Sequence, residues 1–180
     1  MKAKKMVACD IECIKQIVNF LEIKCGKLSI KESERIQVPV VTGLDGNSEA
    51  ISGFGTIVIS LAKQCKKSQF GKTQEDEALV RQWIEYAVCY GNYVDLTQTA
   101  RQVLKELNAV LSTRSYFVGS SQTLADIVLY YVLHGVMVDL TYQEKEQYLH
   151  LSRWFNNIQQ DPKLRQKNKL IHFSRTPLYT

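Results

Sequence analysis

Apolar residues recur at Val7, Ile11, Ile14, Val18 and Leu21, at spacings of four, three, four and three. That rhythm marks one face of an amphipathic helix, and Cys25-Gly26 is a natural stop for it. The period then changes. Lys27–Ile30 reads as a short strand, Gln37-Val38-Pro39-Val40-Val41-Thr42 as a strand interrupted early by proline, and Glu49-Ala50-Ile51 as a third. Gly43, Asp45, Gly46 and Asn47 supply the turn between the last two. Helical spacing returns with Ile57, Val58, Leu61, Ala62 and Cys65.

After a polar stretch with a glycine, everything reads as helix. Val80, Trp83, Ile84, Ala87 and Val88 make one buried stripe; Val103, Leu104, Leu107, Val110 and Leu111 make the next. From Leu124 to Val138 nearly every residue is apolar on all sides, which places that helix at the centre of a domain. Leu151, Trp154, Phe155 and Ile158 line a further helix that Pro162 stops. Three of these segments open with one device. Thr73 with Asp76, Thr123 with Asp126 and Thr141 with Glu144 fit the capping-box pattern. The threonine hydroxyl can accept the N–H three residues on. The carboxylate can return to the threonine N–H and sits at the positive helix end. The expected organisation is α+β: a small α/β part over residues 1–66, a linker at 67–73, an all-helical part at 74–162 and a tail at 163–180.

Composition narrows the class. At 45% hydrophobic and 23% charged, the 180-residue chain has the balance of a soluble globular protein. The apolar run 124–138 is too short to span a bilayer and carries Asp126 and His134, so no membrane partner is expected. Lys2, Lys4 and Lys5 lead into Asp10 and Glu12 instead of an apolar stretch. That pattern carries no secretory signal, and the expected compartment is the cytoplasm, with the nucleus open. Five cysteines without a C-x-x-C spacing argue against a disulfide framework, a zinc site or a redox pair; most read as small core residues. His134, His150 and His172 are far apart, and His134 reads as a satisfied core or groove residue ahead of a general base. No phosphate loop, metal cluster or cofactor motif is present. The net charge of +5 is partly local: Lys163, Arg165, Lys167, Lys169 and Arg175 follow Pro162 with no acid among them. A solvated tail is the expected reading, and weak contact with nucleic acid is the alternative.

Several segments together resemble one family. They are Arg81-Gln82-Trp83-Ile84-Glu85-Tyr86, Thr123-Leu124-Ala125-Asp126-Ile127-Val128-Leu129-Tyr130-Tyr131, Val138-Asp139-Leu140-Thr141 with Gln143-Glu144-Lys145-Glu146, Ser152-Arg153-Trp154-Phe155, and Leu178-Tyr179-Thr180. The set is similar to the elongation factor 1 epsilon scaffolds, also described as auxiliary components of the multi-tRNA-synthetase complex. The resemblance implies a glutathione-transferase-like fold: a reduced thioredoxin-like N-terminal subdomain and an all-helical C-terminal one. It implies a non-catalytic adaptor that docks on methionyl-tRNA synthetase and glutamyl-prolyl-tRNA synthetase, cytoplasmic and also nuclear, with a part in DNA-damage signalling. An elongation factor 1 complex subunit and a glutathione-dependent transferase are the alternatives.

Transferase chemistry asks for groups this chain lacks. No Tyr or Ser precedes the first helix to activate a thiol, and Cys9 and Cys13 fall on the helix itself. Where transferases of this kind carry an acid–serine pair, the chain has Gly53-Phe54, which offer no side-chain hydrogen bond. Val38-Pro39-Val40 resembles the cis-proline strand of thioredoxin-like domains, with an ordinary trans proline at a strand edge as the alternative. The resemblance places one docking face on the helices around 56–65 and 74–90, with Ile57, Ser60, Gln64, Arg81 and Glu85 as exposed candidates. It places a second at the end of the central helix and the Arg-Trp-Phe helix, with Asp139 and Arg153 as candidates. Arg153 can dock through its planar fork, or pair internally with Asp139 or Glu144. Pro39, Thr123, Asp126 and Trp154 are expected to be structural.

Overall fold

A computed structural model of the chain describes residues 11–23, 27–33, 36–43, 50–65, 70–91 and 97–173. Val7, Cys9, the Cys25-Gly26 stop, the turn at Asp45, Gly46 and Asn47, Glu49, Arg175 and the Leu178-Tyr179-Thr180 end lie outside them. The N-terminal part runs α1 (Ile11–Leu21), β1 (Lys27–Ser33), β2 (Ile36–Thr42), β3 (Ala50–Ser52) and α2 (Phe54–Gln64). The helical part follows: α3 (Gln74–Tyr86) continuing into a π-helical turn at Ala87–Gly91, then α4 (Thr97–Val110) and α5 (Leu124–Asp139). It closes with α6 (Tyr142–Gln147), α7 (Leu149–Ile158) and the single turn α8 (Pro162–Arg165).

The three strands form an antiparallel sheet with β2 in the middle. Leu28 pairs with Val41 and Ile30 with Pro39 on one side; Val40 pairs with Ser52 on the other. Pro39 is buried, and its carbonyl accepts the Gly53 N–H at 3.0 Å. In a strand the N–H and C=O of one residue point the same way, so the N–H that proline lacks faces the side where β3 has already ended. No peptide bond among the described residues is cis, so the cis-proline likeness does not hold.

The core is one continuous cluster. Ile14, Ile17 and Val18 of α1 meet Val41 of the sheet and Ile57, Val58 and Leu61 of α2. Ten consecutive residues of α5, Leu124 to Leu133, are buried because α1, α3 and α7 surround it. A helix with no solvent face needs no amphipathic stripe, which explains its uniformly apolar sequence. The second helix begins at Phe54, three residues before its apolar rhythm does; Gly53, at φ +94°, turns the chain from β3 into it.

The basic tail is not simply solvated. Within its described part, Leu164 and Ile171 are buried, and buried Gln159 holds Ile171 by paired bonds: Nε2 donates to its carbonyl (2.8 Å) and Oε1 accepts its N–H (3.0 Å). The Tyr131 hydroxyl donates to the Leu164 carbonyl (2.7 Å), and Gln166 Nε2 donates to the Gln16 carbonyl (2.7 Å). The backbone of 162–173 is thus strapped over α1, α5 and α7. Lys163, Lys167 and Lys169 stay exposed, and Lys163 pairs with Glu22 at 2.9 Å.

Candidate protein-docking faces

Asp126 organises the helical part. It is fully buried, and its carboxylate accepts four hydrogen bonds. Oδ2 takes the Thr123 N–H (2.9 Å) and hydroxyl (3.1 Å); Oδ1 takes the Phe117 N–H (3.1 Å) and the Trp154 indole N–H (2.9 Å). One carboxylate therefore caps α5, fixes the turn before it and locks α7 in place. Burial raises its pKa above the ordinary carboxylate value, and the four donors pull the other way. The Phe117 ring lies between Trp83 and Trp154, each 4.9 Å away centroid to centroid. Trp154 is accordingly a core anchor with no share in the surface.

The first candidate face lies on α2 and α3. Ile57 does not belong to it: the residue is 0% exposed, because it shares the inward stripe of Val58, Leu61 and Ala62. Ser60 is half-buried, Gln64 and Glu85 are exposed, and Arg81 is half-buried. Arg81 is held by Glu77, whose Oε1 accepts from Nη2 at 2.6 Å and Nε at 3.2 Å, and its guanidinium carbon lies 6.0 Å from the Phe70 ring centroid. Glu85 leans on the start of α2: a Cβ added to Gly55 would stand 3.0 Å from its Oε1.

The second candidate face comprises the end of α5 and α7. Arg153 pairs with neither Asp139 nor Glu144. Its Nη2 donates to the carbonyls of Leu111 (2.9 Å) and Arg114 (3.0 Å), completing the C-terminal end of α4. The side chain is nonetheless exposed. Asp139 is exposed at the last position of α5 and forms no ion pair among the described residues. Glu144 closes its own capping box with Thr141, as the short helix requires.

Eukaryotic translation elongation factor 1 epsilon-1 of Homo sapiens is 42% identical over 161 residues, 89% of this chain and 91% of that protein. The Cricetulus griseus protein of the same name is 39% identical over 167 residues, 92% of this chain and 94% of that one. This chain belongs to the elongation factor 1 epsilon-1 family. A family model described as nuclear-export cofactor Arc1p matches residues 76–162, from the capping aspartate of α3 to the end of α7 and beyond to Pro162. Solved glutathione transferases share the fold. That of Bombyx mori overlaps with a TM-score of 0.68 at 13% identity, over 93% of this chain and 90% of its own. The Gtt2-class enzyme of Vibrio parahaemolyticus overlaps with 0.66 at 19% identity, over 91% and 95%.

At the start of α2 this member of the elongation factor 1 epsilon-1 family carries Gly53 and Phe54. Phe54 is buried in the core, and no side chain caps the helix. The polar groups that shape the faces were mostly silent in the sequence. Asn108 Oδ1 accepts the N–H groups of His150 (2.9 Å) and Leu151 (3.1 Å), capping α7 from another helix. The Tyr86 hydroxyl donates to Glu106 at 2.7 Å, which lowers the Glu106 pKa. His134 Nε2 is 3.0 Å from the Lys169 carbonyl, so that nitrogen carries the proton; burial holds the ring's pKa below its ordinary value. Among the cysteines, Cys13 is buried, but Cys89 is exposed and is no core residue. The described residues hold no group of three His, Cys, Asp or Glu able to bind a metal, and no helix long and apolar enough to cross a membrane.

Proposed function

We propose that the chain is a non-catalytic adaptor of the multi-tRNA-synthetase complex, docking on methionyl-tRNA synthetase and glutamyl-prolyl-tRNA synthetase through two faces, one on α2 and α3 and the other at the end of α5 and on α7. The observation that carries this reading is the start of α2. There the fold's ligand-gripping position is filled by Gly53 and a core-buried Phe54, with the Glu85 carboxylate beside Gly55. An anionic peptide arriving there finds no side-chain partner at Gly53 or Phe54 and a like charge at Glu85, which costs more than it gains. The names of the relatives, a translation factor and an export cofactor, support work in translation. Two separate faces let one subunit bridge two partners and raise their effective concentration. The adaptor works in the cytoplasm and, in DNA-damage signalling, in the nucleus.

The test is a tagged pulldown from nuclease-treated lysate at moderate salt, read by mass spectrometry, with calorimetry against glutathione in parallel. The reading expects both synthetases and no glutathione heat. Arg153→Ala then loses one synthetase and Glu85→Lys the other. Recovery of elongation factor 1 subunits alone would favour the complex named by the relatives; measurable glutathione binding would restore the enzyme reading.

A further inference from the structure

A cleft of about 490 Å³, lined mainly by polar side chains, lies between the outer side of α4 and the α6–α7 junction, about one turn from the α4 end that Arg153 braces. Gln98, Arg101, Gln102 and Lys105 line it from α4, and Gln147 and Tyr148 face them. Asn108 closes it, with its Oδ1 already taken by the start of α7. Arg101 and Lys105 are exposed, and no carboxylate among the described residues forms a salt bridge with either. Glu106 is engaged by Tyr86 and Gln102; Glu144 is engaged by Thr141 and feels Arg101 only at a distance. The cleft thus offers two cations outside any salt bridge among the described residues and several amide donors, and no carboxylate lines it.

We propose that this cleft docks an acidic segment of a partner protein in extended conformation, reading two carboxylates of an acid-x-acid motif. Arg101 and Lys105 are one turn apart, about 6 Å along the helix. Alternate side chains of an extended strand repeat at about 6.7 Å, so acids at i and i+2 match the two cations, and the amides can meet the strand's backbone. A phosphate backbone fits less well. Two cations flanked by Glu106 and Glu144 cannot track a continuous polyanion. Leu149, directly after Tyr148, is 63% exposed, an apolar neighbour suited to a protein surface. The proposal does not depend on which synthetases the other faces bind.

The experiment is a titration of the isotope-labelled full chain with acetylated Gly-Ser-Glu-Ser-Glu-Ser-Gly amide, following amide chemical shifts, with the Gln-for-Glu peptide and a short oligouridylate as comparisons. The expected shifts are confined to residues 98–108 and 147–151. They weaken about tenfold in the Arg101→Gln, Lys105→Gln double variant, whose melting temperature stays at the parent's because both side chains are exposed. Four results would overturn the proposal: no shifts at saturating peptide, equal shifts with the uncharged peptide, undiminished shifts in the double variant, or oligouridylate perturbing these amides where the peptide does not.

Discussion

Replacing Asp126 by alanine strands three buried donors at once: the N–H groups of Phe117, Thr123 and Trp154, now 2.9–3.1 Å from carboxylate oxygens. The Thr123 hydroxyl can rotate to another acceptor, but these N–H groups cannot. Each costs roughly 1–3 kcal/mol when left unpaired, and a water entering the vacated space recovers part of the sum. The expected loss is about 3–5 kcal/mol, a large share of the ~5–15 kcal/mol that holds a domain together. For a chain of this length that corresponds to a fall in Tm of roughly 6–20 °C. Asp126→Asn should cost less, about 1–3 kcal/mol, because its oxygen can still serve Phe117 and Trp154 while its amide faces the Thr123 N–H donor to donor. The assay is thermal and urea unfolding read by far-ultraviolet dichroism and indole fluorescence. Trp154→Phe, with and without Asp126→Ala, completes a double-mutant cycle in which the paired losses should fall short of their sum by about 1–2 kcal/mol. A Tm for Asp126→Ala within about 2 °C of the parent, or an asparagine variant worse than alanine, would refute the idea that one carboxylate holds α5, its preceding turn and α7 together.

Gly71 has φ +85°, and a Cβ there would stand 2.4 Å from that of Asp76, so Gly71→Ala should cost about 2 kcal/mol or more in a urea titration. Gln159→Ala removes both bonds to Ile171; amide exchange at residues 164–171 should accelerate well before α5 is affected, and equal protection throughout would contradict the strap. Because burial holds His134 below the ordinary imidazole value of 6.5, the stability it contributes is present above that value and is lost as pH falls through the lowered one. Relative to His134→Gln, which can still donate to Lys169, the parent chain should therefore lose Tm between neutral pH and pH ~5, and a constant difference would count against it.

What could be read in the sequence was local. Capping boxes at Thr73, Thr123 and Thr141 join residues three apart, and the helical stripes repeat within one or two turns, so short-range rules suffice. The same rules placed Ile57 one turn before Leu61 on the stripe of Val58, and its burial follows from that spacing as soon as the sheet and α1 cover the stripe. What could not be read was long-range and polar. Asp126 takes donors from nine residues before and 28 after; Arg153 reaches carbonyls 42 and 39 residues back; Gln159 pairs with a tail segment 12 residues on. Backbone carbonyls are present at every position, so no residue pattern announces which will be used. The tail looked solvated because its charges dominate its composition, while Leu164, Ile171 and Phe173, the residues that dock it, are too few to show a period.

Arg153 shows how bracing and docking can be one property. A free surface arginine loses about 2 kcal/mol of rotamer freedom when a partner fixes it, which cancels most of an exposed ion pair. Here Nη2 already donates to the carbonyls of Leu111 and Arg114, so the side chain is fixed before any partner arrives, and its remaining N–H groups stay available on an exposed guanidinium. A pre-ordered fork of this kind gives a partner's carboxylate more net affinity than the same charge on a mobile stem. Arg153→Lys separates the two contributions. Lysine keeps the charge but has no planar fork to hold two carbonyls and a carboxylate together. Thermal stability should fall by about 1 kcal/mol, and capture of the second-face partner should drop nearly as far as in Arg153→Ala. If lysine sustains full capture, charge alone is what that face presents, and the contact with the α4 turn is bracing and nothing more.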